Sequence, residues 1–176
     1  MNDNDRTVDF LLDPLLDDKL KEGLVELWAD VINNGGAVGL VPPVTPDDVR
    51  EIAEVAFRRV EIAEDHLVIA LIADEPVGMV FLEQRPGPLF RHWATIKRLQ
   101  VHPSLQGKGI GKKLIDATHH LARGIGLERL FVTVRSGTGR ESFYERHGYK
   151  LVAQIPGVSR VAPGDDRDEL HLMAGL

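Results

Sequence analysis

Apolar residues along this chain change their spacing several times, and each change predicts an element. Leu16, Leu20, Leu24 and Leu27 recur at near-helical intervals and predict a helix over residues 16–32, ended by Asn33-Asn34-Gly35-Gly36. Thr45-Pro46-Asp47-Asp48 opens a second helix that extends to about residue 64. Thr45 fits its N-cap, Pro46 its first position, and the two acids the positive end of its dipole. Ahead of both, Thr7-Val8 leads into a short strand over residues 9–12. Residues 66–73 and 77–83 are rich in β-formers and flank the polar turn 74–76, which predicts an antiparallel hairpin. A third strand over 91–101 is stopped by His102-Pro103, because proline cannot donate to a ladder. A helix over 107–124 follows, with Ile110, Leu114, Ala117 and Leu121 inward. A strand at 130–134, a short helix at 140–147 and strands at 149–155 and 170–173 complete the chain. The order β, αα, βββ, α, β, α, ββ predicts an α+β fold around a mixed central sheet.

Composition narrows the class. At 176 residues, with 43% hydrophobic positions, one domain over residues 1–176 is expected. No apolar run reaches the roughly 20 residues that span a bilayer, and Met1-Asn2-Asp3-Asn4-Asp5 lacks the basic start of a signal peptide, so a cytoplasmic location is expected. The chain has no cysteine, which excludes disulfides, thiolate metal sites and a cysteine nucleophile. A net charge of −6 disfavours nucleic-acid and anionic-membrane partners. Yet between Lys97 and Lys113 the charged residues are all basic: Lys97, Arg98, Lys108, Lys112 and Lys113. Such a patch suits either a bound anion or a solvated helix face.

What favours the anion is the turn Gln106-Gly107-Lys108-Gly109-Ile110-Gly111, set between a predicted strand and a predicted helix. Glycines there let backbone N–H groups converge without side-chain obstruction, and the first turn of a helix has unpaired donors. Phosphate is the natural ligand of such a turn. Two other phosphate motifs fail on counting. A dinucleotide fingerprint starting at Gly107 would need glycine where Lys112 stands, and a Walker A loop ending at Gly111-Lys112 would need glycine at Gln106 and a hydroxyl residue at Lys113.

The run Q-G-K-G-I-G, with L-x-V-x-P before it, resembles the cofactor signature of the GNAT N-acetyltransferases. The resemblance implies a GNAT-like, mostly antiparallel sheet flanked by helices, with a splayed strand pair at the cofactor site, and acetyl-CoA as cosubstrate. It also implies that Leu99, Gln100 and Val101 lie along the pantetheine arm, Leu99 and Val101 binding through their backbone. Gln106, Gly107, Lys108, Gly109, Ile110, Gly111 and Lys112 would supply N–H groups to the pyrophosphate.

Phe143-Tyr144-Glu145-Arg146-His147-Gly148-Tyr149 is similar to a second GNAT element, whose first tyrosine stands beside the cofactor sulfur. Tyr144 is thus the catalytic candidate, with a half-buried core tyrosine as the competing reading. Two positions depart from that family's pattern: Gly137 and Arg140 stand where asparagine and alanine are common. An amine attacking a thioester must lose a proton, and Glu83 is the candidate base, with His92 and Glu141 behind it. The histidines show no H-x-x-x-H spacing, and adjacent His119 and His120 diverge on a helix, so no metal is expected.

The acceptor is less legible. Residues 31–40 and Ile155-Pro156-Gly157, followed by a polar loop, loosely resemble tabtoxin-resistance-type acetyltransferases, which implies a small amine, amino-acid-like or toxin-like, as acceptor. The acidic stretch 164–169, read as part of that loop, would draw in a cation. A protein N-acetyltransferase and a noncatalytic acyl-CoA-binding module are the alternatives, and the resemblance admits a homodimer.

Overall fold

The computed structural model describes residues 7–176; the N-terminal stretch read above against a signal peptide lies outside the described residues. Among the described residues, seven strands and four α-helices follow the expected order: β1 (Asp9–Leu12), α1 (Asp18–Asn33), α2 (Pro46–Glu61), β2 (Asp65–Ile72), β3 (Glu75–Gln84), β4 (Trp93–Val101), α3 (Ile110–Gly124), β5 (Arg129–Arg135), α4 (Glu141–Glu145), β6 (Lys150–Ala162) and β7 (Asp165–Gly175). The strands are linked in the order β1-β2-β3-β4-β5-β7-β6. β4 and β5 pair parallel, whereas β1–β2, β2–β3, β5–β7 and β6–β7 are antiparallel. The chain forms two compact units, one up to Glu83 with Lys97–Leu121, the other of Gln84–Ile96 with Ala122–Leu176, so β4 contributes to both. Among the described residues no helix is long and apolar enough to cross a membrane.

In the first unit, both long helices start where the caps dictate. Asp17 accepts the Leu20 amide at 2.8 Å and begins α1, two residues later than the leucine spacing alone suggests. Thr45 and Asp48 form a reciprocal capping box at α2, with Pro46 in the first turn as expected. The alternation of β2 and β3 sends Leu67, Ile69, Leu71, Met79 and Phe81 into one core with Trp28 and Ile32 of α1 and Val49, Ala53 and Phe57 of α2. On the opposite face lies α3. A Cβ at Gly78 would meet Leu114 Cδ1 at 2.8 Å and the Gln100 carbonyl at 3.0 Å, so only glycine lets α3 approach the sheet there. The β2–β3 turn falls at Ala73-Asp74, both at positive φ, one residue earlier than expected. Pro76 is inside β3, tolerated because the register slips beside it at Ala70/Leu71.

The second unit contains the main departure from the expected elements. Residues 164–169, expected as part of a polar loop, are mostly strand: β6 and β7 form a long hairpin turning at Pro163-Gly164. Its charges are satisfied across the ladder, Arg160 binding its register partner Asp166 at 2.6 Å and Gln154 binding Asp168. Both faces of β6 are exposed, so no apolar alternation was needed to specify it. Those pairings also hold the Asp165, Asp166 and Asp168 carboxyls below their usual range, chiefly through Arg167, Arg160 and Gln154 respectively. Asp165 and Asp166 of the expected acidic attractor are therefore charge-balanced by their own neighbours.

Candidate active site

A break in β4 leads into the glycine turn. The parallel register with β5 runs over Trp93–Ile96 against Arg129–Val132, and two residues later Arg98 takes φ +53°, a left-handed bulge within the strand. The strand then continues through Leu99, Gln100 and Val101 and is tied to β3 by the His102 amide on the Val77 carbonyl at 2.8 Å. Gln100 is 3% exposed, and neither polar atom of its carboxamide has a hydrogen-bond partner among the described residues. The Val101 carbonyl accepts from Gln106 Nε2 at 3.0 Å, which fixes the start of the glycine turn against the strand end.

The glycine turn is a run of open donors. The Gln106 amide bends back to the Pro103 carbonyl at 3.3 Å, and the Lys113 amide enters α3 by bonding Gly109 at 3.2 Å. Between them, the amides of residues 107–112 make no well-formed hydrogen bond to another group among the described residues. Gly107 and Gly109 have φ of +76° and +83°, which is why α3 begins at Ile110 and not at Gly107 as its sequence suggests. Nothing lies within 4 Å of a Cβ built on either glycine, so the space beside them is empty of protein. Ile110, Leu114 and Ile115 are buried and seat the helix. Lys112 is bonded to Asp116 at 2.7 Å, one turn on, whereas no ion pair is formed by Lys108 or Lys113 among the described residues. The turn thus combines unpaired amides, a helix N-terminus and open cationic side chains, the arrangement that holds a phosphate oxyanion.

The other compact unit holds the second candidate element, α4. Tyr144 is 8% exposed, and its ring meets Phe143 and Tyr149 edge on at centroid distances of 5.2 and 5.5 Å. Burial pushes its phenol up to about 12, against a smaller opposing pull from the Arg140 charge. The His147 and Tyr149 amides both bond the Tyr144 carbonyl, at 2.9 and 3.1 Å, and Gly148 at φ +87° turns the chain into β6. The F-Y-E-R-H-G-Y run is therefore a closed turn that fixes Tyr144.

The unusual position before α4 has a structural reason. Gly137 has φ +76°, and the Arg167 guanidinium of β7 occupies the space where a Cβ would stand. Ser136 closes the segment by receiving the Asp168 amide on Oγ at 3.0 Å. An arginine from a distant strand thus fills the volume of a missing local side chain, which no local motif announces.

The base candidates separate. Glu83 at the end of β3 binds the Arg98 guanidinium through Oε1 at 2.7 Å. Glu141 sits in the first turn of α4 with Oε2 buried and unbonded among the described residues. His92 precedes β4 beside a shallow cavity of about 310 Å³ lined by Trp93, Glu128, Arg129, Phe131 and Met173. Arg98 itself stood in the sequence only as one more basic residue. Its bulge, and its position 5.2 Å over the Trp28 ring and 5.9 Å over Phe81, become visible only in three dimensions.

The model of the acetyltransferase (GNAT) domain matches residues 63–151, half of the chain, including the bulged strand, the glycine turn and Tyr144. The chain belongs to the GNAT acetyltransferase family. A mycothiol acetyltransferase from Propionibacterium freudenreichii is 27% identical over 53% of the chain, and an amino-acid acetyltransferase from Mycobacterium tuberculosis 30% identical over 42%. The matched stretches span only 34% and 40% of those relatives' length. A Salmonella typhimurium acetyltransferase solved with its cofactor acetyl-CoA shares the GNAT fold at TM-score 0.73, covering 95% of this chain and 94% of its own at 20% identity.

Proposed function

We propose that this GNAT protein transfers the acetyl group of acetyl-CoA to a primary amine of a small molecule by direct attack in a ternary complex. The observation that carries the reading is the run of unpaired amides over residues 107–112, with no protein atom within 4 Å of a Cβ built on Gly107 or Gly109. Those amides, with Lys108, fit a diphosphate, and Leu99, Gln100 and Val101 would lie along the pantetheine arm. The unbonded Gln100 carboxamide is a buried polar group in need of a partner, which such an arm, or an ordered water, supplies.

In the reaction, the carbon–nitrogen bond forms as the carbon–sulfur bond breaks, the amine loses a proton and the departing sulfur must be held. Tyr144 is assigned to the sulfur. With its phenol raised to about 12, it stays protonated and donates a hydrogen bond, while full transfer to a thiolate, whose ordinary pKa is roughly 8.5, is uphill. Glu83 keeps Oε2 without a partner among the described residues and can accept an N–H of the incoming amine. Positioning and a held leaving group suffice for a thioester, so no covalent acyl-enzyme is required.

A noncatalytic acyl-CoA sensor is favoured by one observation, the engagement of Glu83 by Arg98. Release of free thiol from acetyl-CoA, measured against a panel of small amines and peptides, separates the readings. Turnover on small amines supports the proposal, turnover on peptides alone assigns a protein N-acetyltransferase, and tight binding without turnover on any acceptor assigns a sensor.

A further inference from the structure

The proposed acetyl transfer leaves the acceptor undefined, and one pair of residues constrains its chemistry. Arg98 has a left-handed φ in the middle of a strand, a conformation costly for a side chain with a Cβ and found where a bulge re-aims a residue. Its guanidinium lies over Trp28 and Phe81 and is bonded through one nitrogen to Glu83. Glu83 is the only group to which it donates among the described residues, so its other N–H donors are open to a ligand or to water on a side chain that is 28% exposed. A guanidinium placed over two aromatic rings, with one arm on a carboxylate and the other without a protein partner, can bind a planar carboxylate through two parallel hydrogen bonds.

Its partner offers the complementary half. Glu83 spends Oε1 on Arg98 and keeps Oε2 for a cationic donor. Arg98 and Glu83 therefore present one anion site and one cation site side by side, joined by their own 2.7 Å contact. Along β4 the pair stands next to Leu99 and three residues before Val101, about 10 Å at the strand's rise, so it borders the segment assigned above to the pantetheine arm.

We propose that the acceptor is a free α-amino acid, its carboxylate held by Arg98 and its amino group directed by Glu83 Oε2. This rests on the acetyltransferase reading of the same site and adds the substrate class. Glu83 has a second task here as a positioning residue, since its carboxylate fixes the guanidinium in place. The pairing selects against amines that lack a carboxylate, because these leave a half-buried guanidinium without its partner.

The test compares common α-amino acids with the amides and decarboxylated amines of the same side chains, in the wild type and in Arg98→Gln and Arg98→Lys. Steady-state kcat/KM is one readout, and thermal stabilisation of the CoA-saturated protein by the amino acid is the other. Acetyl-CoA affinity is measured for every variant. The wild type is expected to prefer amino acids over amides and amines by on the order of a hundredfold, from one charged hydrogen-bonded pair. Arg98→Gln should abolish the preference with acetyl-CoA affinity unchanged, and Arg98→Lys should retain a fraction of it. Equal use of amides and amines, a preference that survives in Arg98→Gln, or no stabilisation by any amino acid overturns the assignment. Failure of the wild type to bind acetyl-CoA at all overturns instead the reading on which it rests.

Discussion

The Tyr149 amide donates to the Tyr144 carbonyl at 3.1 Å, and the two phenol rings meet at 72° with centroids 5.5 Å apart. The backbone bond fixes the α4 turn and the ring contact fixes the Tyr144 side chain within it. Tyr144→Phe keeps that packing and removes only the hydroxyl. Turnover is expected to fall by on the order of a hundredfold while acetyl-CoA affinity stays the same. Unchanged turnover would remove Tyr144 from the reaction.

These are the only two tyrosines in the chain, and burial raises both phenols, Tyr149 with a further push from Tyr144. In a spectroscopic titration the native protein should show little tyrosinate at pH 10, where half the tyrosine of the unfolded chain is ionised. The sign for stability follows. A raised folded-state value contributes stability in full below about pH 10 and loses it as pH climbs through about 12 for Tyr144, so unfolding should steepen over that window. Tyr144→Phe should weaken the decline. Normal titration of both phenols in the native state would contradict the burial.

Gly78 is where α3 meets the sheet. Gly78→Ala places a methyl against Leu114 Cδ1 and the Gln100 carbonyl, which costs about 1–3 kcal/mol in denaturant unfolding and displaces the helix that carries the glycine turn. Acetyl-CoA affinity should fall along with stability. Loss of stability with affinity intact would show that the turn does not depend on this contact.

Gly137 joins a left-handed φ to the crowding of Arg167. Gly137→Ala should destabilise the protein by about 1–3 kcal/mol, and Arg167→Ala should relieve part of that loss, so the double variant is less destabilised than the two singles added together. Strict additivity would mean the guanidinium does not occupy that space in solution.

The glycine turn and the α2 cap were legible because each is local: Thr45, Pro46 and Asp48 lie within one turn, and the glycines of the cofactor signature dictate their own backbone. Lys112 was legible as a charge, but not as one neutralised by Asp116. The β6–β7 hairpin was read short because its strands are solvated on both faces and stitched by cross-strand pairs such as Arg160–Asp166, which leave no periodic mark. Arg98 escaped for a different reason. A bulge is a property of how a strand meets its neighbours, and nothing in Lys97-Arg98-Leu99 distinguishes it from an ordinary basic strand.

The central claim is that the unpaired amides over residues 107–112 hold the diphosphate of acetyl-CoA. It is tested most directly by titrating acetyl-CoA into the wild type and Gly109→Asp, with Gly109→Ala as the control for backbone strain at φ +83°. The aspartate puts negative charge into the open space beside Gly109, and affinity should fall by a hundredfold or more, on the order of 3 kcal/mol, well beyond the loss in Gly109→Ala. Equal acetyl-CoA affinity in the wild type and the correctly folded Gly109→Asp would contradict it.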